Sequence, residues 1–176
     1  MKKIIFLDND GVICLSDQWG SRAKKQKKYQ REFGESSEEK MPVECRFDNF
    51  DPKAIKVLNK ILESTGAEIV VSSDWRLYAT LEELQTYYLA QGIIKAPISV
   101  TPILYESNHI TSRISEIRKW MENNSIDRWV VVDDIPMGID TEGEGGLANF
   151  VNTPRSREGI KQIGIANKII SILNEN

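Results

Sequence analysis

Short, wholly apolar runs that stop abruptly at acids and hydroxyls constrain this chain more than any other feature. Ile4-Ile5-Phe6-Leu7 runs into Asp8-Asn9-Asp10-Gly11, Ile69-Val70-Val71 into Ser72-Ser73-Asp74-Trp75-Arg76, and Trp129-Val130-Val131-Val132 into Asp133-Asp134-Ile135-Pro136. Runs without polar alternation suit strands covered on both faces, as in parallel sheets. Ile98 to Leu104, broken by Pro102, and Phe150-Val151 are two weaker strand signals. Helical patterns lie between them. Residues 53–64 place Ile55, Leu58, Ile61 and Leu62 on one face. Thr80-Leu81-Glu82-Glu83 reads as a capping box opening a helix to about Gln91, with Gly92 as its stop. Ile110, Ile114, Ile117 and Met121 mark a helix ending near Asn123-Asn124. Ile160, Ile163, Ile170 and Leu173 mark a C-terminal helix weakened by Gly159 and Gly164. Strand–helix alternation of this kind predicts an α/β fold with a mostly parallel central sheet.

Residues 15–50 break the rhythm, because they separate the first strand from the first core helix by far more than an ordinary βα loop. The first half is basic (Arg22, Lys24, Lys25, Lys27, Lys28, Arg31) and the second carries Glu32, Glu35, Glu38 and Glu39. Residues 22–31 suit a short helix, and Gly34 to Pro42 reads as loop. The segment is either a solvated insertion with self-neutralising charge or a lid that presents cations to an anionic substrate. Its place beside the acidic end of the first strand favours the lid. The expected organisation is a core of residues 1–14 and 51–176 with 15–50 as a small cap.

In open α/β sheets, ligands bind outside the carboxyl ends of the strands. A parallel sheet would therefore bring Asp8, Asp10, Ser72, Asp133 and Asp134 to one crevice. Two carboxylates ~4 Å apart repel by roughly 4 kcal/mol at an effective dielectric of 20. Several together must hold protons or a cation. A hard divalent ion with oxygen ligands is the simpler solution, and Mg²⁺ typically combines one or two carboxylates with waters and a substrate phosphate. One carboxylate can then serve as nucleophile, and another, two residues on, as general acid/base. Ser72 and a nearby basic side chain would hold phosphoryl oxygens. Taken singly, each motif has a plain alternative: Asp-Asn-Asp-Gly is a common turn composition, and Ser72, Ser73 or Asp74 could simply cap a helix. All three motifs in this order are not readily explained as turns.

Composition narrows the chemistry further. The chain has 176 residues, a net charge of −3, one His and two Cys. Cys14, Cys45 and His109 are too few for a His/Cys zinc site, and one possible cysteine pair is no disulfide framework. His109 lies in the polar stretch Glu106-Ser107-Asn108-His109, a poor setting for a His-based triad. Met1-Lys2-Lys3 is followed by four apolar residues only, too few for a signal peptide, and no run approaches a membrane span. The expectation is a soluble cytoplasmic protein with no membrane association and no stable protein partner. Gly143-Glu-Gly145-Gly146-Leu-Ala148 imitates a dinucleotide fingerprint but sits in an acidic loop after a strand end, which favours a turn. There is no P-loop signature.

These motifs resemble those of the haloacid dehalogenase (HAD) superfamily: an apolar strand followed by Asp-x-Asp-Gly (Asp8, Asp10, Gly11), a strand ending in Ser or Thr (Ser72), a basic residue in a later helix, and a strand ending in acids (Asp133, Asp134). The resemblance covers the chain outside residues 15–50, which fall where the family places a small cap, and it implies a three-layer Rossmann-like fold. It implies that Asp8 is the nucleophile, forming an aspartyl-phosphate, and also a metal ligand. Asp10 would be the general acid/base, with its backbone carbonyl on the metal; a second Asp here is similar to phosphatases and phosphomutases rather than dehalogenases. Ser72, with Ser73 beside it, would bind the phosphoryl group. Asp134, with Asp133 as neighbour or substitute, would complete a Mg²⁺ site. Arg113, at the start of the Ile110–Met121 helix, is the choice for the basic residue, ahead of Lys119 and Lys95.

The stretch from Phe50 to Arg76, with Asp51-Pro52 and Ser-Ser-Asp-Trp-Arg, looks like the HAD-type domains associated with RNA-repair fusion proteins, as does Arg113-Ile-Ser-Glu116-Ile117 with Trp120. That raises a nucleotide or nucleic-acid-end phosphate as substrate beside a phosphorylated small molecule. Trp75 would then stack on a base and Arg76 hold phosphate; their alternative is packing and a helix-start salt bridge. The expected activity is a Mg²⁺-dependent phosphomonoester hydrolase. A phosphotransferase or mutase shares the first motif. A non-catalytic receiver-like module is disfavoured because its acceptor Asp lies on a middle strand of the sequence, not the first.

Overall fold

The computed structural model describes residues 1–106, 108–138, 146–154 and 157–175. Five strands form one sheet in the order β3-β2-β1-β4-β5: β1 (Lys3–Leu7), β2 (Glu68–Val71), β3 (Ser99–Val100), β4 (Arg128–Asp133) and β5 (Phe150–Asn152). Every pairing is parallel. The helices are α1 (Ser21–Phe33), α2 (Pro52–Thr65), α3 (Leu81–Ala90), α4 (His109–Glu122) and α5 (Ile165–Asn174).

Strand alternation divides the core in two. Ile5, Leu7, Ile69, Val71, Val130 and Val132 pack with residues of α2, α3 and α5. Ile4, Phe6, Val70 and Val131 pack on the other face with Ile114, Ile117 and Trp120 of α4. The predicted apolar face of α2 is buried, and Asp51 caps that helix by accepting from the Lys53 and Ala54 N–H groups. Thr80 and Glu83 form the predicted capping box of α3. The fold is thus a helix–sheet–helix α/β architecture of the Rossmann-like type, with an entirely parallel sheet.

Three local expectations need correction. The third strand covers only Ser99–Val100, because Pro102 has no N–H to continue a ladder. The C-terminal helix does not run from Ile160: Gly159–Lys161 form a 3-10 turn, Gly164 is left-handed at φ 93°, and α5 begins at Ile165. Ile163, read as part of the apolar face, is 99% exposed. Between Gly34 and Pro42 the loop includes a short 3-10 turn at Glu38–Lys40. The turn read around Gly143 and Gly145 lies outside the described residues.

The segment between β1 and α2 is held at its two ends. The Ser21 hydroxyl donates to Asp48, and Lys25 Nζ donates to the Phe47 carbonyl (2.7 Å) and to Asn49 Oδ1 (2.9 Å). Arg46 reaches out of the segment to a bidentate pair with Glu83 of α3.

Candidate active site

Register alone assembles the crevice. Leu7 pairs with Val71 on one side and Val132 on the other, so the next residues, Asp8, Ser72 and Asp133, leave the sheet in one row. The ladder carries into that row: Asp8 N–H donates to the Val132 carbonyl (3.0 Å) and Ser72 N–H to the Leu7 carbonyl (2.9 Å). After Asp8 the chain curls tightly, with the N–H groups of Val12, Ile13 and Cys14 all directed at the Asn9 carbonyl. Gly11 has φ 72°, and a Cβ there would lie 2.4 Å from an Asp134 carboxylate oxygen. The glycine of Asp-Asn-Asp-Gly is therefore required twice, for its backbone and for the space that admits Asp134.

Asp8, Asp133 and Asp134 each offer a carboxylate oxygen, all within 4.8 Å of one another. Asp8 and Asp133 are buried. Burial pushes the Asp8 carboxyl well above the usual range; the Asp133 charge adds to this, while Arg113 and a hydrogen bond from Ser73 oppose it. Burial likewise pushes Asp133 up to about 6, against the pull of Arg113.

Arg113 enters this cluster from α4. Its side chain is only 3% exposed; one guanidinium nitrogen lies 3.3 Å from Asp8 Oδ1 and 3.0 Å from Asp133 Oδ2 and also donates to the Ser72 carbonyl, while the other lies 3.0 Å from Asp74 Oδ1. Burial would lower its pKa, yet the surrounding carboxylates of Asp8, Asp133 and Asp74 hold it above the ordinary value. Three carboxylates and this one guanidinium leave a formal charge of −2, which a divalent cation would close. The Ser72 hydroxyl is fully buried beside the cluster and has no hydrogen-bond partner among the described residues. The donor set, all hard oxygen, fits Mg²⁺.

Asp10 stands apart from the three-carboxylate group. Its Oδ2 accepts from the Trp75 indole N–H at 2.8 Å, and the Cys14 thiol also hydrogen-bonds its carboxylate. Burial raises its pKa, and these two hydrogen bonds oppose the rise. Asp10 lines a cleft of about 1000 Å³ together with Arg22, Arg46, Phe47, Trp75 and Tyr78.

Of the sequence-derived candidates, Asp8, Ser72, Ser73, Arg113, Asp133 and Asp134 converge, with Asp10 at their edge. Two expectations change. Arg76 is not turned to the crevice as a phosphate ligand: its buried guanidinium pairs with buried Glu116 at 2.5 Å and donates to the Ser73 carbonyl. Trp75 is not a free stacking platform: its ring already lies on Phe47 (centroids 4.2 Å apart, planes 5° apart) and on Phe50. Lys95 donates to the Gly66 and Ala67 carbonyls before the start of β2, and Lys119 pairs with Glu122 on the surface, so neither reaches the site.

Sequence reading passed over Asp74, Glu116 and His109 as site neighbours. His109 Nε2 lies 3.3 Å from Asp74 Oδ2, which places the single histidine at the crevice rim through a carboxylate. The only sequence signal for this was its position at the start of the helix that carries Arg113.

No helix among the described residues is long and apolar enough to cross a membrane. No curated protein and no solved structure matches the chain. One family of sequences does match, described as the HAD domain in Swiss Army Knife RNA repair proteins, and it covers residues 4–162, from β1 through β5 and beyond. With that span matched and the sheet and strand-end carboxylates placed as described, the chain belongs to the family of HAD domains found in Swiss Army Knife RNA repair proteins.

Proposed function

We propose that this HAD domain is a Mg²⁺-dependent phosphomonoester hydrolase acting on a nucleotide or nucleic-acid-end phosphate. The observation that carries the reading is the convergence of Asp8, Asp133 and Asp134, the first two on one buried guanidinium, with a serine hydroxyl beside them that has no partner among the described residues. Asp8, Asp133 and Asp134 would hold the ion, with Asp10 contributing through its backbone carbonyl. Bound there, Mg²⁺ would neutralise charge and polarise phosphoryl oxygens.

In the first step an Asp8 carboxylate oxygen attacks phosphorus and the ester P–O bond breaks. Asp10 delivers a proton to the departing oxygen, leaving an aspartyl-phosphate and the alcohol. In the second step Asp10, now ionised, takes a proton from water, and the resulting oxygen attacks phosphorus. The P–O bond to Asp8 breaks, releasing inorganic phosphate and the free carboxylate. Arg113 and the Ser72 hydroxyl hold phosphoryl oxygens throughout and offset their developing charge.

Two features support the substrate class. The cleft beside Asp10 has room for a leaving group of nucleotide size. On α1, Lys24, Lys27, Lys28 and Arg31 fall at i, i+3, i+4 and i+7, forming one exposed cationic stripe. The stripe spans roughly 10 Å along the helix, enough to meet adjacent phosphodiesters of a strand. Phosphate release should be measured with and without Mg²⁺ on 3′- and 5′-phosphorylated oligonucleotides, mononucleotides and sugar phosphates. A metal-dependent preference for the oligonucleotides is expected. Release that is indifferent to Mg²⁺ would overturn the metal assignment, and a preference for sugar phosphates would overturn the substrate class.

A further inference from the structure

The general acid/base proposed above is held by Trp75, a few residues past the end of β2. Trp75 lies in the 3-10 turn Asp74–Leu77 that follows β2, and its indole N–H reaches across the crevice edge to Asp10 Oδ2. The ring is fixed on several sides. Phe47 stacks on it at 4.2 Å, Phe50 at 5.3 Å, and Tyr87 meets it edge-on at 5.7 Å. Ser73 caps the turn by accepting from the Trp75 backbone N–H. A buried ring so packed has little freedom to turn, so its N–H is a preset donor rather than an adaptable one.

We infer that Trp75 is a positioning residue that selects which oxygen of Asp10 carries the catalytic proton. An indole N–H is a donor only, so the oxygen it meets must act as acceptor. In a protonated carboxyl the carbonyl oxygen is the better acceptor, and the proton therefore sits on the other oxygen, Oδ1. The Cys14 thiol also hydrogen-bonds this carboxyl, but as a weak donor; without the indole the carboxyl loses its strong, ring-fixed donor and turns more freely about its Cβ–Cγ bond. Phe47 belongs to the segment between β1 and α2 and also lines the cleft. That segment thus contributes to proton transfer, through Phe47 and Trp75, as well as to substrate binding. The inference rests on Asp10 acting as the acid/base.

The test uses leaving groups of different basicity. Departure of an alkoxide needs a proton, whereas 4-nitrophenolate leaves with little help. Trp75→Phe keeps an aromatic ring and removes the donor. Its kcat/KM on glycerol phosphate with Mg²⁺ should fall about tenfold, the equivalent of one hydrogen bond, and on 4-nitrophenyl phosphate by less than about threefold. Asp10→Asn, measured in parallel, should lose about 10²–10⁴-fold on the alkyl ester and markedly less on the aryl ester. Equal losses on both esters for Trp75→Phe, with Asp10→Asn still discriminating, would make Trp75 a packing residue and overturn the inference. If Asp10→Asn does not discriminate either, the acid/base assignment fails and the inference falls with it.

A second readout avoids dependence on the Trp75→Phe variant's activity. The chain has four tryptophans, so the indole N–H resonances are few. The one absent from the Trp75→Phe spectrum should move in Asp10→Asn, where an amide replaces the carboxyl that the indole N–H meets. No movement of that resonance would also overturn the inference.

Discussion

At the ends of β1, β2 and β4 the side chains are buried and crowded. Asp8, Ser72, Asp133 and Arg113 have almost no exposed surface, and like charges lie within a few ångström. Along α1 none of the residues is buried, and five of its cations (Arg22, Lys24, Lys27, Lys28 and Arg31) are exposed to solvent. The strand ends gain their chemistry from confinement, which strengthens every charge interaction and costs folding stability. The helix does the reverse: its charges are hydrated, cost little, and act on a partner only at short range in salt. A rigid sheet is suited to holding reacting groups, and a solvated helix to sampling a polyanion. Trp75 and Phe47 join the two regions physically.

The largest expected effect separates them at once. Asp8→Asn should lower turnover by at least about 10⁴-fold while leaving the metal-free protein as stable as the wild type or more so, because it removes one of three crowded acids. Thermal unfolding in a chelator checks the second half; a large fall in Tm would make the Asp8 carboxylate a structural group. Replacing Lys24, Lys27, Lys28 and Arg31 together by Gln should lower kcat/KM on a phosphorylated oligonucleotide by about ten- to a hundredfold at low salt, and should flatten its salt dependence. Equal loss on a mononucleotide would erase the division between the two regions.

pH offers a third test. Asp133 is pushed from 3.8 in the unfolded chain to about 6 in the folded one, and Asp8 is raised in the same sense. Between those values the folded state binds more protons, so the stability of the metal-free protein should fall as pH rises from about 4 to about 6 through Asp133. Mg²⁺ should therefore raise Tm more at pH 7.5 than at pH 5. Asp51 and Glu83, with lowered pKa values, act in the opposite sense, so the comparison is with Asp133→Asn; a pH dependence identical in the two proteins would contradict the burial of Asp133.

The smallest effect concerns the anchor of the segment. Arg46→Ala breaks the half-buried pair with Glu83, at 2.6 Å, and should cost about 1 kcal/mol in thermal unfolding. It should change activity less than Trp75→Phe does.

Much of this was legible before any coordinates. Ile4–Leu7, Ile69–Val71 and Trp129–Val132 read as parallel strands because nothing polar interrupts them, and the acids that end them converge in the candidate site. Arg113, the choice that the HAD resemblance implies for the basic residue, enters the carboxylate cluster from the start of α4. For Arg76 and Trp75 the sequence leaves substrate contact and packing both open, because a basic and an aromatic residue beside a motif look the same whether they face a ligand or the protein; the structure shows the packing. Their partners, Glu116 and Phe47, are distant in sequence, and only packing brings them close. His109 was set aside for its polar neighbours, yet the first turn of α4 carries it to Asp74.

Local sequence determined the strand runs, the caps of α2 and α3, and the types of group at the strand ends, since each depends on neighbours within a few residues. Register and helix docking decided the rest. Pairing Leu7 with both Val71 and Val132 set Asp8, Ser72 and Asp133 in one row. The docking of α4 placed one guanidinium among the acids. The 3-10 turn after β2 directed an indole N–H at Asp10. Those distances depend on contacts made across the whole chain, and no window of sequence contains them.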